Sequence, residues 1–272
     1  MKIGHLILAS LIAFVPKIAS AYNWYPLDDY PDRFIRWYQP NIPVFLDDRP
    51  PLNAELEDVV QTITKSINTW NNVQCDHPIF DDIEMVTGQL PVVEKEKVTE
   101  GTNLIVFQNS EEWDHYHPTG DNPAIDWPMV LALTTLYYDP VTGEINSYSL
   151  EINDERFRFT TTVRPRSYDI ENTITHELGH VLGLDHPDDD LKDATMYAKA
   201  LTGETKKRTL ETDDIEGLCN LYGDNWPDEP PEDPSRSGGC SSIGDSMDTK
   251  QLAAWAALLA AVIFFIIRRR GR

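Results

Sequence analysis

The stretch that decides the reading runs from His176 to His186 and spells HELGHVLGLDH. Three histidines, a glutamate and a glycine stand at fixed offsets in it: His176, Glu177, His180, Gly183 and His186. Residues four apart on a helix share a face, with Cβ atoms about 5–6 Å apart, so the imidazoles of His176 and His180 can reach one metal ion. Gly183 can take the left-handed conformation that ends a helix without a Cβ penalty. The chain can then fold back and offer His186 as a third ligand. Three neutral imidazoles on Zn²⁺ leave the fourth tetrahedral position to water, the layout of a catalytic rather than a structural site. Glu177 is placed to take the proton of that water. Histidines scattered on a surface helix are the plain alternative, and Gly183 and His186 add two constraints that a chance H-E-x-x-H does not meet.

The flanking residues favour a helix at this place. Asp169 is a good N-cap, and Ile170, Ile174, Leu178, Val181 and Leu182 recur at helical spacing as a buried stripe. Past the third histidine comes Ala194-Thr195-Met196-Tyr197. The pattern H-E-x-x-H-x-x-G-x-x-H followed by a Met-containing turn is the mark of the metzincin metallopeptidases. With Met196-Tyr197, the run Asp213-Asp214-Ile215-Glu216-Gly217 and Leu221-Tyr222-Gly223, the chain resembles the matrixin branch, the matrix-metalloprotease-like family, from Ile42 to Gly223. The resemblance implies a zincin-like catalytic domain with zinc held by His176, His180 and His186. It implies Glu177 as general base and Met196 as the hydrophobic floor under the metal. Two positions depart from the family pattern: Ala198 stands where Pro usually follows the Met-Tyr pair, and Pro187 where Ser follows the third histidine. Both bear on the shape of the primed-side pocket and leave the metal chemistry alone.

Upstream, Val44 to Leu46 reads as the first strand. A helix follows from a cap near Asn53, with the stripe Leu56, Val59, Val60, Ile63, Ile67 and Trp70. Ile83 to Val86 and Leu104 to Phe107 are short runs of strand type. Met129 to Tyr138 is another, joined through Asp139 to Gly143 to an alternating run with Tyr148, Leu150 and Ile152, which makes a hairpin. By the resemblance, the Met129–Thr135 edge holds an extended peptide by β-augmentation, although an ordinary hairpin edge fits the same residues. Thr212 caps a closing helix whose first turn carries Asp213 and Asp214, where negative charge suits the dipole. Its buried face is Ile215, Leu218, Cys219 and Tyr222, and Gly223 ends it. The expected fold class is α+β, α/β-like, with a mixed twisted sheet of about five strands and about three helices.

Met1 to Ala21 reads as a signal peptide: Lys2 supplies the charge, Ile7 to Val15 the apolar core and Ala19-Ser20-Ala21 the cleavage site. Residues 22–41 are an aromatic arm without period, expected to lie on the domain, with a cleft-filling pro-segment as the alternative. No cysteine-containing latency motif stands ahead of the domain at 42–223. Residues 224–250 form an acidic, Pro-rich linker ending in a polar spacer with Gly238-Gly239-Cys240. The apolar run 251–267 falls slightly short of the ~20 residues that span a bilayer comfortably. The basic end 268–272 is fixed in the cytoplasm by the positive-inside rule. This tail resembles bacterial sorting segments of the MYXO-CTERM kind, with Cys240 as the processing or anchoring residue. A permanent single-pass anchor is the other reading. The expected location is therefore the cell surface, anchored or released after processing.

The formal net charge is −22, and because both ends are basic the body between them is more acidic still. Such a body repels nucleic acid and anionic membrane surfaces. The charge keeps an exported protein soluble, with a preference for cationic substrates or bound Ca²⁺ as the alternative. Of the three cysteines, Cys75 after the first helix and Cys219 on the last are the natural disulfide pair, with two buried free thiols as the alternative and Cys240 left over. His115 and His117, with Asp114 and Asp121, read as a surface loop rather than a metal site. Asp188-Asp189-Asp190 reads as a solvated turn rather than a Ca²⁺ ligand set. Asp185 is placed to orient a ligand. Together these features predict an exported, monomeric zinc endopeptidase acting on extended peptides or proteins through a Glu-activated water. The alternatives are an envelope processing protease with one dedicated partner and a non-catalytic, zinc-stapled surface-binding domain.

Overall fold

A computed structural model of the chain describes residues 22–49, 51–87, 102–109, 113, 129–223, 226 and 229–232. The described residues up to Pro231 belong to one compact unit, Met1–Pro231. The signal segment, the loop with His115 and His117, Cys240, the apolar run 251–267 and the basic end lie outside the described residues. Among the described residues no helix is long and apolar enough to cross a membrane.

Strand β1 is Asn23–Trp24, β2 Asn41–Asp47, β3 Ile79–Val86, β4 Leu104–Gln108, β5 Ala132–Tyr138 and β6 Ile145–Asn153. Strands β2 to β6 form a five-stranded sheet in the order β3-β2-β4-β6-β5. Its strands are parallel except β5, which runs antiparallel to β6 at the edge. Ile42, Val44 and Leu46 of β2 point inward with at most 1% exposure, as strand alternation requires. All five residues of β4 are buried, the signature of a strand covered on both faces. The mixed sheet and three described α-helices are those of an α+β domain.

Helix α1 (Leu56–Asn71) buries Val59, Ile63, Ile67 and Trp70 at helical spacing, together with Thr62 and Ser66. It starts two residues after the expected cap, at Glu55, and Glu57 and Asp58 complement the dipole of its first turn. Helix α2 (Ile170–Val181) carries the histidine motif and packs on α1. Trp70 Nε1 donates to the Thr175 carbonyl at 2.8 Å, and the Thr175 hydroxyl donates to Ser66 at 3.0 Å. Helix α3 (Thr212–Tyr222) is capped by Glu211 rather than Thr212, through a capping box with Asp214. Ile215, expected on its buried face, is exposed; Leu218, Leu221 and Tyr222 make that face instead.

The arm is part of the core rather than a covering layer. Leu27, Ile35, Trp37 and Tyr38 are buried. Its β1 pairs antiparallel with the short strand β9, which we number after β7 (Phe159–Thr160) and β8 (Tyr168–Asp169) and which spans Leu184–Asp185. Trp37 Nε1 donates to the Val181 carbonyl at 2.7 Å and Trp24 Nε1 to the Gly217 carbonyl at 3.0 Å, so the arm clamps the C-terminal end of α2 against α3. Trp226, inside the stretch read as linker, is also buried, stacked edge-on against Tyr222 with its Nε1 donating to the Trp37 carbonyl. Cys75 and Cys219 are joined in a disulfide that ties the end of α1 to α3.

Candidate active site

Helix α2 begins where Asp169 accepts the Asn172 amide at 2.9 Å, and Arg208 binds the same carboxylate through its Nε at 2.8 Å. His176 and His180 follow one turn apart on one face. Gly183 then turns the chain at φ +93°; a Cβ there would stand 2.6 Å from the Ile35 carbonyl oxygen. The turn places His186 opposite the other two. The Nε2 atoms of His180 and His186 are 3.1 Å apart, and those of His186 and His176 are 3.3 Å apart.

These distances suit a metal. A tetrahedral Zn²⁺ with bonds of about 2.0–2.1 Å spaces its nitrogens by about 3.3 Å. The tautomers agree as well. His176 Nδ1 lies 2.6 Å from the Thr195 carbonyl and His180 Nδ1 lies 2.8 Å from that of Leu184. A carbonyl can only accept, so each Nδ1 carries the proton and each Nε2 presents a lone pair. Lone pairs converging at these distances repel unless a cation lies between them. Burial pushes the pKa of His176 and of His180 down. It pushes that of His186 down to about 4, aided by the neighbouring His180. All three are therefore neutral, as ligands must be. Among the described residues this is the one group of three His, Cys, Asp or Glu side chains that converges in this way. Asp188, Asp189 and Asp190 sit exposed on a turn.

Met196 is buried directly beneath α2. A Cβ on Gly179 would stand 2.2 Å from its Sδ and 2.9 Å from Trp70, so only glycine lets the helix settle there. The turn itself is pinned by Asp214, whose two carboxylate oxygens accept the amides of Thr195 at 2.8 Å and Met196 at 2.9 Å. Asp185 accepts the His186 amide at 2.7 Å, and its negative charge acts on the Tyr25 hydroxyl. That hydroxyl lies 3.1 Å from His180 Nδ1.

Glu177 faces the edge strand β5. The Thr134 hydroxyl donates to its Oε2 at 2.7 Å. Burial raises the Glu177 pKa, and the Thr134 bond, then His186 and Lys207, pull it back. Lys207 is 2% exposed and lies next to His176, and burial pushes its pKa down to about 8 against the pull of Glu204 and Glu177. A cleft of about 530 Å³ runs from Met129 along β5 to the three histidines and on to Lys207. Sequence reasoning missed Thr134, Lys207, Tyr25 and Gly179. Thr134 alone had a signal, since it lies in the strand assigned to the substrate.

A three-imidazole site with a glutamate beside it, on a helix under the antiparallel edge of a mixed sheet, defines a zinc-metallopeptidase type of domain. The comparison with known families agrees: the matrixin model (peptidase M10) matches residues 37–223, and the chain belongs to the matrixin family. It is 47% identical over 111 residues to metalloendoproteinase 4-MMP of Arabidopsis thaliana, covering 39% of this chain and 29% of that protein. It is 29% identical over 201 residues to interstitial collagenase of Sus scrofa, covering 74% of this chain and 35% of that protein. The matched region thus spans about a third of the length of these relatives or less.

Proposed function

We propose that this chain is a zinc endopeptidase. The observation that carries the reading is the convergence of three Nε2 lone pairs beside a buried carboxylate, in a cleft that runs along the edge strand of the described sheet. His176, His180 and His186 hold the metal. Bound there, zinc supplies the Lewis acidity that polarises a scissile carbonyl and acidifies water. An extended peptide or protein substrate lies along β5, its backbone hydrogen-bonded to the side of the strand away from β6. Glu177 accepts the proton of the attacking water and delivers it to the leaving amine. Thr134 holds the carboxylate toward the cleft, and Met196 supports the ligand helix from below. A purely structural site would have no use for the buried base, which disfavours a non-catalytic binding domain.

Export and surface location belong to the same proposal. The leader-like residues 1–21 support export, and the Cys75–Cys219 disulfide fits an oxidising compartment. The MYXO-CTERM-like tail with Cys240 supports attachment at, or release from, a bacterial cell surface, with the enzyme acting as a monomer. The deciding experiment is Glu177→Ala. The variant is expected to retain stoichiometric zinc by elemental analysis and to lose hydrolysis of a protein substrate. Undiminished cleavage would overturn the mechanism.

A further inference from the structure

Lys207 is out of keeping with its surroundings. Lysine is almost never fully buried without a partner, yet this side chain is 2% exposed. Its ammonium donates to the Tyr197 carbonyl. Its other near neighbour, His176 Nδ1 at 3.3 Å, cannot accept, because that nitrogen already gives its proton to Thr195. Glu204, Glu177 and Asp214 are the acidic groups that act on it, and among the described residues no carboxylate comes within ion-pair distance. A second lysine, Lys199, also lines the cleft, whereas Glu177 is its one acidic lining residue among those described. A chain of net charge −22 has therefore placed two cations in its groove. Ala198, Ala200 and Asn172, all small or polar, line the same cleft as the two lysines and the histidines.

We propose that Lys207 is a specificity-determining residue that selects substrates carrying a carboxylate side chain, Asp or Glu, next to the scissile bond. The inference rests on the endopeptidase reading. An entering carboxylate takes up the N–H donors that the described residues leave without an acceptor. Glutamine at the same place offers a similar shape without the charge.

The test uses the zinc-loaded protein and quenched-fluorescent peptides with Glu, Gln, Leu or Lys on either side of the cleaved bond. At one of the two positions Glu is expected to exceed Gln in kcat/KM by about tenfold or more, the size of a charge-assisted hydrogen bond. In Lys207→Met, which keeps the packed stem, the Glu-to-Gln ratio is expected to fall toward one. The inference is overturned if wild type treats Glu and Gln alike at both positions, a result that stands even if the variant does not fold. It is equally overturned if the preference survives Lys207→Met. Zinc-loaded Glu177→Ala, followed by fluorescence anisotropy, gives the same comparison as binding alone, with Glu peptides held about tenfold tighter than Gln peptides. If wild type cleaves nothing while this difference appears, the endopeptidase reading fails and the Lys207 site stands; if binding shows no difference, the site falls on its own account.

Discussion

Replacing Thr134 by Val keeps the branched shape on β5 and removes the hydroxyl that donates to Glu177 Oε2 at 2.7 Å. The same hydroxyl lies 3.3 Å from the Glu177 carbonyl, but one O–H donates once, and the shorter contact to the charged oxygen takes it. A hydrogen bond to a charged group contributes about 1.5–3 kcal/mol, and each 1.36 kcal/mol is a factor of ten. Burial raises the Glu177 pKa and Thr134 is the largest influence lowering it, so losing the bond moves it further up. In the proposed mechanism Glu177 is the base, a role open only to its ionised form. The acid limb of the pH–rate profile therefore moves to higher pH in Thr134→Val. On that limb kcat/KM falls by about 10- to 100-fold, while the loss on the alkaline side is smaller. Bound metal acts on both proteins alike and does not change the sign. The assay is kcat/KM against pH for wild type and variant on one peptide, with zinc content checked in each. Superimposable acid limbs would refute the claim that Thr134 tunes the base.

Two further predictions concern the frame around the metal. In Gly179→Ala, helix propensity favours the variant by about 1 kcal/mol, but the added methyl would stand 2.2 Å from Met196 Sδ, and overpacking costs about 1–3 kcal/mol or more. Packing should win, lowering the Tm and weakening zinc retention against a chelator; a raised Tm would show that the Met turn yields freely. For Cys75→Ser with Cys219→Ser, a crosslink of sequence separation 144 contributes about 5 kcal/mol in the chain-entropy model. Calorimetry should find the Tm lowered by roughly 10–20 °C, and an unchanged Tm would place the stabilisation elsewhere.

What could be read from the sequence was what the chain achieves locally. The histidine motif is such a case, because four residues on a helix and one glycine turn bring its ligands together with little help from the rest of the fold. The stripes of α1 and α2 are legible for the same reason. Thr134 and Lys207 reach the site across 43 and 31 residues, and Tyr25 across 155, so nothing in their neighbourhoods marks them. The arm shows no period because beyond the two-residue β1 it is not held as a regular element. Isolated bridges, Pro26 with Phe34 and Arg36 with Glu144, and tryptophan N–H groups reaching distant carbonyls fix it instead.

The cap of α3 shows why such long-range order matters to the chemistry. Thr212 is a good cap by type, yet Glu211 takes the position and Asp214 completes the box by accepting the Glu211 amide at 2.8 Å. Asp214 thereby has its remaining capacity aimed at the Met turn, where it holds the amides of Thr195 and Met196. The Thr195 carbonyl, fixed by that grip, accepts from His176 Nδ1 and so sets which nitrogen faces the other two imidazoles. The tautomer of His176 is thus decided by a carboxylate on another helix, and that helix is anchored to the end of α1 by the Cys75–Cys219 bond. The glutamate that starts α3, which looks like a surface residue in the sequence, stands at the head of the chain of contacts that orients the first imidazole.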